Sequence, residues 1–381
     1  MALASTRAAP AGPTLRELAG QVLVAGAPGP EPDARLLDAL AEGALGGVVL
    51  FKRNLTSAEQ AWALLGAYAR AAPGDTPPLL AVDQEGGRVA RLGPPVLPLP
   101  PMRRLAALGD TALTRAAGAA LGRQLAAIGF TMDFAPVLDV DTNPDNPIIG
   151  DRAFGADPQT VAAHALAFAQ GLLAGGVLPC GKHFPGHGDT HLDSHLALPA
   201  LGHDRARLDA IELAPFRDAI AAGVPALMTA HVVFEAFDPM VPATLSRRVV
   251  TGLLREELGF EGAIVSDDLE MKAVCDRWGV VESAVRAIDA GCDLLLVCSD
   301  VDACLEARDA LTARAERDGA FRRRLTDAAE RSRSLRRLLP PGRAAPDLAT
   351  LRRALGDAQA NALAETIAAR DAAPEGPEDR A

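Results

Sequence analysis

Eight short apolar or β-branched runs recur along the chain, at Val22–Ala27, Gly46–Lys52, Pro78–Asp83, Thr131–Val140, Val177–Phe184, Ala226–Val232, Gly262–Asp268 and Cys292–Ser299. Continuous apolar runs of this length suit strands buried on both faces, the signature of a parallel sheet. Between most of them lie stretches with helical spacing, among them Ser57–Ala71, Asp110–Ile128, Gln159–Ala174, Arg207–Ala222 and Val280–Ala290. Gly129, Gly175, Gly223 and Gly291 follow such stretches, where a glycine can end a helix in the left-handed conformation. Eight strand-helix alternations predict a single α/β barrel of the (β/α)8 type over residues 1–339, with an open doubly wound sheet as the alternative.

The ends of these runs favour the barrel. Asp83, Asp139, Lys182-His183, His231, Asp267-Asp268 and Ser299 all close a run with a polar or ionisable group. In a barrel such ends converge on one face, whereas an open sheet gathers only those near its switch point. After Leu339 the PPGRAAPD stretch breaks the pattern, and Leu348–Arg370 reads as one Ala-rich helix. Residues 340–381 are therefore expected to be a linker, an appended C-terminal helix and a frayed tail, serving packing or partner contact.

Composition narrows the partners. The net charge of -11 repels phosphate backbones, so nucleic acid is not expected as a partner. No window has 18 uninterrupted apolar residues and the N-terminus lacks an apolar core of the signal-peptide kind, which predicts a cytoplasmic protein without membrane contact. Cys180, Cys275, Cys292, Cys298 and Cys304 include no CxxC pair, so neither a disulfide framework nor a zinc cage is expected.

Five of the seven histidines fall between His183 and His203, within GKHFPGHGDTHLDSHLALPALGH. His183, His187, His191 and His195 are spaced by four, but Pro185, Gly186 and Gly188 argue against a helix there. The segment reads as a strand running into a long glycine-hinged loop. Two functions compete for it: a metal site built from the four histidines, or a single proton-carrying histidine oriented by a carboxylate. Asp193-Ser194-His195 suits the second, because an aspartate two residues away can accept from the ring and favour its cation. The bland alternative is that the histidines serve loop backbone groups.

Lys182-His183-Phe184-Pro185-Gly186-His187-Gly188, followed by Asp193-Ser194-His195, resembles the signature of family 3 glycoside hydrolases of the β-N-acetylglucosaminidase type. Three further motifs follow the family's order. Asp83-Gln84-Glu85-Gly86-Gly87-Arg88-Val89 resembles its substrate-binding strand end, Asp151-Arg152-Ala153-Phe154-Gly155 its arginine loop, and Ser266-Asp267-Asp268-Leu269 with Met271 its nucleophile strand. The resemblance spans roughly residues 15 to 300 and implies the barrel that the strand pattern reaches independently.

It also implies roles. Asp267, closing the apolar strand Ala263-Ile264-Val265-Ser266, is expected to be the nucleophile of a retaining glycosidase. Strand alternation turns Asp268 the other way, and Asp268 suits a helix N-cap for the residues from Leu269 onward. His195 takes the general acid/base role, oriented by Asp193; a neutral imidazole does not repel Asp267 and can give and retrieve a proton near pH 7. Asp83 would accept from sugar hydroxyls while Arg91, Arg152, Lys182 and His183 donate. His231 could grip the sugar or serve the fold, His187 could stabilise the loop, and Glu85 is expected to support its turn. Aromatics make up only 4% of residues, which favours a hydrogen-bonded pocket for one terminal sugar over a long polysaccharide groove. The expectation is a cofactor-free and metal-free exo-β-N-acetylglucosaminidase acting on a small carbohydrate, with GlcNAc-anhydro-MurNAc muropeptides as the implied substrates. The rivals are the metal-dependent hydrolase and a catalytically silent sugar binder.

Overall fold

The computed structural model describes residues 12–73, 77–191, 198–339 and 346–372. Each of the eight apolar runs contains strand. We number them β1 (Leu23–Gly26), β2 (Gly47–Leu50), β3 (Leu79–Val82), β4 (Met132–Asp133), β5 (Leu178–Pro179), β6 (Gly181–Phe184), β7 (Ala226–Thr229), β8 (Ala263–Asp268) and β9 (Leu294–Val297). All neighbouring pairs are parallel, in the order β5-β4-β3-β2-β1-β9-β8-β7-β6. The two ends of that order, β5 and β6, belong to one run interrupted at Cys180, so the chain itself closes the circle. Nine strands thus arise from eight runs, and the fold is a nearly closed α/β barrel.

The register explains why the runs are apolar throughout. Alternate residues such as Val24, Val49, Ala81, Met132, Met228, Val265 and Leu296 fill the barrel interior. The intervening Leu23, Val48, Leu80, Val82, Ile264 and Leu295 pack outward against the helices. Neither face meets water, and each fully buried Val, Leu or Ile contributes roughly 1.5–3 kcal/mol relative to exposure.

Several elements differ from the pattern-based reading. Thr131–Val140 is regular only at Met132–Asp133, because Pro136 carries no N–H to continue a ladder. Pairing resumes through single bonds, with Lys182 N donating to Pro136 O at 3.1 Å and Leu138 N to Lys182 O at 2.6 Å. The stretch Arg207–Ala222 forms two helices, Arg205–Ala210 and Ala214–Ala221, the second entered through Pro215. Gly129, Gly223 and Gly291 have positive φ as expected, but Gly175 remains right-handed at φ -74° and Gly176 makes the turn at φ 93°. The C-terminal helix is divided into Leu348–Leu355 and Ala358–Asp371, since Asp357 caps the second by accepting from Gln359 N. Both dock on the outside of the barrel, where Arg370 pairs with Asp110 at 2.9 Å and Trp62 donates to the Pro346 carbonyl. No helix among the described residues is long and apolar enough to cross a membrane.

Candidate active site

The C-terminal ends of the strands open on one cavity, bordered by Asp83, Glu85, Arg91, Arg152, Lys182, His183, His187, Asp267 and Asp268 over an apolar floor that includes Phe134, Met228 and Leu296. Asp83 follows β3, Lys182 and His183 lie within β6, and Asp267 and Asp268 end β8. This is the face on which barrel loops assemble sites.

A buried charge network forms one wall. Lys182 Nζ lies 2.7 Å from Asp83 Oδ1 and 2.6 Å from Glu85 Oε1. Arg152 meets Glu85 in a two-pronged pair, Nη2 to Oε1 at 2.7 Å and Nε to Oε2 at 2.8 Å, a geometry only a guanidinium supplies. Arg91 Nη2 is 3.5 Å from Asp83 Oδ2. Burial alone would raise the Glu85 carboxyl, but the Arg152 and Lys182 charges outweigh it and hold Glu85 below the usual carboxylate range. Burial likewise opposes the Lys182 ammonium, and Asp83 with Glu85 reverse that and raise it. Beneath the network, Asp133 accepts from Gln84 N at 2.9 Å through one oxygen, while Oδ2 has no partner among the described residues. Burial pushes its carboxyl up to about 8.

The opposite wall is the turn after β6. Asp139 Oδ2 lies 2.7 Å from His183 Nδ1, and Asp139 Oδ1 accepts from the backbone N–H of His187 at 2.7 Å. Asn146 Nδ2 donates to the His187 and Gly188 carbonyls, and Thr190 Oγ1 lies 2.8 Å from His187 Nδ1. Gly188 is needed here because a Cβ on it would stand 1.8 Å from the Val140 carbonyl oxygen. Further along, Asp189 is held by Thr142 Oγ1 at 2.9 Å and by His203. Burial and the neighbouring His183 push the His187 ring down to about 4, so it is neutral.

Asp267 is in no ion pair among the described residues. Among the described residues its Oδ1 accepts from Asp268 N alone, at 2.8 Å. Burial works against its charge, yet His231 and His183 outweigh it and hold the carboxyl below its ordinary range. An anionic carboxylate without a contacting cation, fixed at the end of a strand and facing a cavity, is chemically available. Asp268 is different: burial pushes it up to about 7. Its Oδ1 accepts from Glu270 N at 3.1 Å and Cys298 N at 3.2 Å. The N-cap expectation for Asp268 is corrected, because the helix begins only at Lys272, with Met271 at the N-cap position. Both aspartates border the cavity, so alternation does not turn Asp268 wholly away from it.

The sugar-binding residues expected from sequence therefore come together: Asp83, Arg91, Arg152, Lys182 and His183 border one cavity with Asp267. Asp193 and His195 lie outside the described residues. His231 serves the fold through both ring nitrogens, Nδ1 at 2.8 Å from Thr244 Oγ1 and Nε2 at 2.9 Å from the Asp268 carbonyl. For the four-histidine metal reading, no group of three or more His, Cys, Asp or Glu among the described residues is placed to hold an ion. Sequence reasoning underrated two acids. Glu85, expected to support its turn, holds two cations instead, and Asp139, noted only as a strand end, organises His183. Their partners lie 67 and 44 residues away in the chain, beyond any local signal.

Residues 14–333 match the model of the glycosyl hydrolase family 3 N-terminal domain. A β-hexosaminidase of Neisseria gonorrhoeae is 41% identical over 321 residues, covering 82% of this chain and 85% of that protein. A family 3 β-N-acetylglucosaminidase from a Paenibacillus species superimposes with a TM-score of 0.85 at 38% identity, covering 94% of this chain and 69% of that one. NagZ from Neisseria gonorrhoeae, solved in complex with N-trifluoroacetyl-D-glucosamine, gives a TM-score of 0.76 at 32% identity, covering 93% of this chain and 98% of that one.

Proposed function

The chain belongs to glycosyl hydrolase family 3, and on that premise we propose that it is a retaining exo-β-N-acetylglucosaminidase. The observation that carries this reading is Asp267, an anionic carboxylate free of ion pairs among the described residues, facing the same cavity as a hydroxyl-binding network. Relatives named β-hexosaminidase and β-N-acetylglucosaminidase supply the sugar class.

The proposed reaction has two steps. Asp267 attacks the anomeric carbon of a terminal N-acetylglucosamine while His195, oriented by Asp193, protonates the departing glycosidic oxygen. A water molecule then attacks the same carbon, His195 takes its proton, and Asp267 leaves as carboxylate. Asp83 accepts hydrogen bonds from sugar hydroxyls, and Lys182, Arg152, Arg91 and His183 donate. Because the cations are already paired with Asp83 and Glu85, they need no reorganisation when a sugar enters.

The finer assignment rests on the resemblance of the motif set: GlcNAc-anhydro-MurNAc muropeptides as substrates, within cytoplasmic recycling of peptidoglycan fragments. No metal or organic cofactor takes part in either step as drawn. Release of p-nitrophenol from p-nitrophenyl β-N-acetylglucosaminide, undiminished by a chelator, tests the activity. Proton NMR of the first-formed sugar tests the stereochemistry: the β-anomer is expected, and an α-anomer would rule out retention. Product analysis with and without phosphate separates hydrolysis from phosphorolysis.

A further inference from the structure

Asp139 does not border the cavity, yet its carboxylate holds three donors from residues that do, two of them on His183 in β6 and one on His187 in the turn that follows. Its side chain is fully buried, and its two oxygens divide their work. Oδ2 faces the His183 ring at Nδ1, 2.7 Å away, while Oδ1 accepts from His187 N at 2.7 Å and from His183 N at 3.2 Å. An ionised carboxylate only accepts, so the proton of this bond belongs to Nδ1. Burial opposes the Asp139 charge, and the two histidines outweigh it and keep the carboxyl below its ordinary range. The remaining polar atom of the ring, Nε2, makes no hydrogen bond among the described residues, and His183 borders the cavity.

We propose that Asp139 is a positioning residue for His183: one carboxylate fixes both the ring's proton on Nδ1 and the backbone of the turn, so that Nε2 is presented to the sugar. The inference depends on the glycosidase reading only for the sugar. The link between ring and carboxylate stands on geometry. Without the anchor the imidazole could take its other tautomer, and the backbone that carries it would lose the acceptor shared by two amides.

Asp139→Asn separates these functions. An asparagine oxygen can still accept from the two backbone amides, but its NH2 group donates, which reverses the bond at Nδ1. Imidazole nitrogen-15 spectra, with the His183 resonances assigned by their loss in His183→Gln, read the proton directly. Nδ1 should be protonated in the unaltered protein, and in Asp139→Asn the proton should sit on Nε2. With p-nitrophenyl β-N-acetylglucosaminide, kcat/KM should fall about 10- to 100-fold, chiefly through KM, as for other supporting residues behind a functional histidine. In a His183→Gln background the same change should cost nothing further. An unprotonated Nδ1 in the unaltered protein, or an equal loss in both backgrounds, would overturn the proposal. The spectra require no turnover, so an inactive unaltered enzyme would count against the glycosidase reading and leave the Asp139–His183 link judged by the ring alone.

Discussion

Both ends of the barrel bury charge, but they use it differently. At the N-terminal end Asp293, just before β9, is fully buried between Arg255 and Arg324. Its Oδ2 also accepts from Ile264 N at 2.9 Å, and the two guanidinium groups continue to the carbonyls of Phe260, Gly262, Gly291 and Cys292. That cluster is closed, with both carboxylate oxygens and many of the donors committed to the fold. At the C-terminal end Glu85, Lys182 and Arg152 are as deeply buried, but the network borders a cavity that Asp267 also borders, with no ion pair among the described residues. Buried ion pairs alone do not mark a site, since each can cost as much in desolvation as it returns in attraction. What distinguishes the upper cluster is charge left available.

The largest effect that could break this contrast comes from Asp267. Replacing it with Ala should lower kcat by at least about 10⁴-fold with little change in melting temperature, because no ion pair among the described residues is lost with it. Retention of most activity would remove the functional half of the comparison. Asp293→Ala should do the reverse, costing about 3–5 kcal/mol of stability in denaturant unfolding by leaving two arginines uncompensated. The kcat/KM of the folded fraction should stay within about twofold, as it should for any purely structural cluster. Arg152→Lys sharpens the distinction further: a lysine cannot reproduce the two-pronged bond to Glu85, so KM should rise about tenfold while unfolding shifts by only about 1–2 kcal/mol.

The smallest effect concerns Asp133 and depends on pH. Its carboxyl is raised from 3.8 to about 8, so the folded protein keeps a proton that the unfolded chain releases. Its contribution to stability is therefore full below about pH 4 and is lost as pH climbs towards 8. Asp133→Asn cannot ionise. Relative to the unaltered chain it should therefore gain stability steadily between those limits, since the cost of its unpartnered amide is the same at both. Chemical denaturation at both pH values checks this, and parallel curves would refute the shift.

How much of this was legible in the sequence depended on the range of the interaction. The strand runs were visible because a parallel barrel buries both faces, and Val22–Ala27 or Cys292–Ser299 has no polar alternation to confuse with an edge. The polar run ends located the functional face for the same reason. Run closure at Cys180 was not visible, since only hydrogen bonding shows that Leu178–Pro179 and Gly181–Phe184 meet different neighbours. The C-terminal break did leave a local signal, Gly356-Asp357, a helix stop followed by an N-cap, which the alanine-rich periodicity obscured. In the site, motif residues such as Lys182, Asp83 and Asp267 stood out by type and position. Asp139 and Glu85 did not, because their meaning comes from a ring and two cations supplied by distant strands and loops.

The availability of Asp267 is the central claim, and trapping tests it most directly. A fluorinated N-acetylglucosaminide with a good leaving group slows release of the sugar more than its transfer, so a covalent intermediate accumulates. Intact mass spectrometry should then show one added glycosyl group per chain, and peptide mapping should place it on Asp267. An adduct on another residue, or steady turnover of the ordinary substrate with no adduct from its fluorinated analogue, would contradict the account.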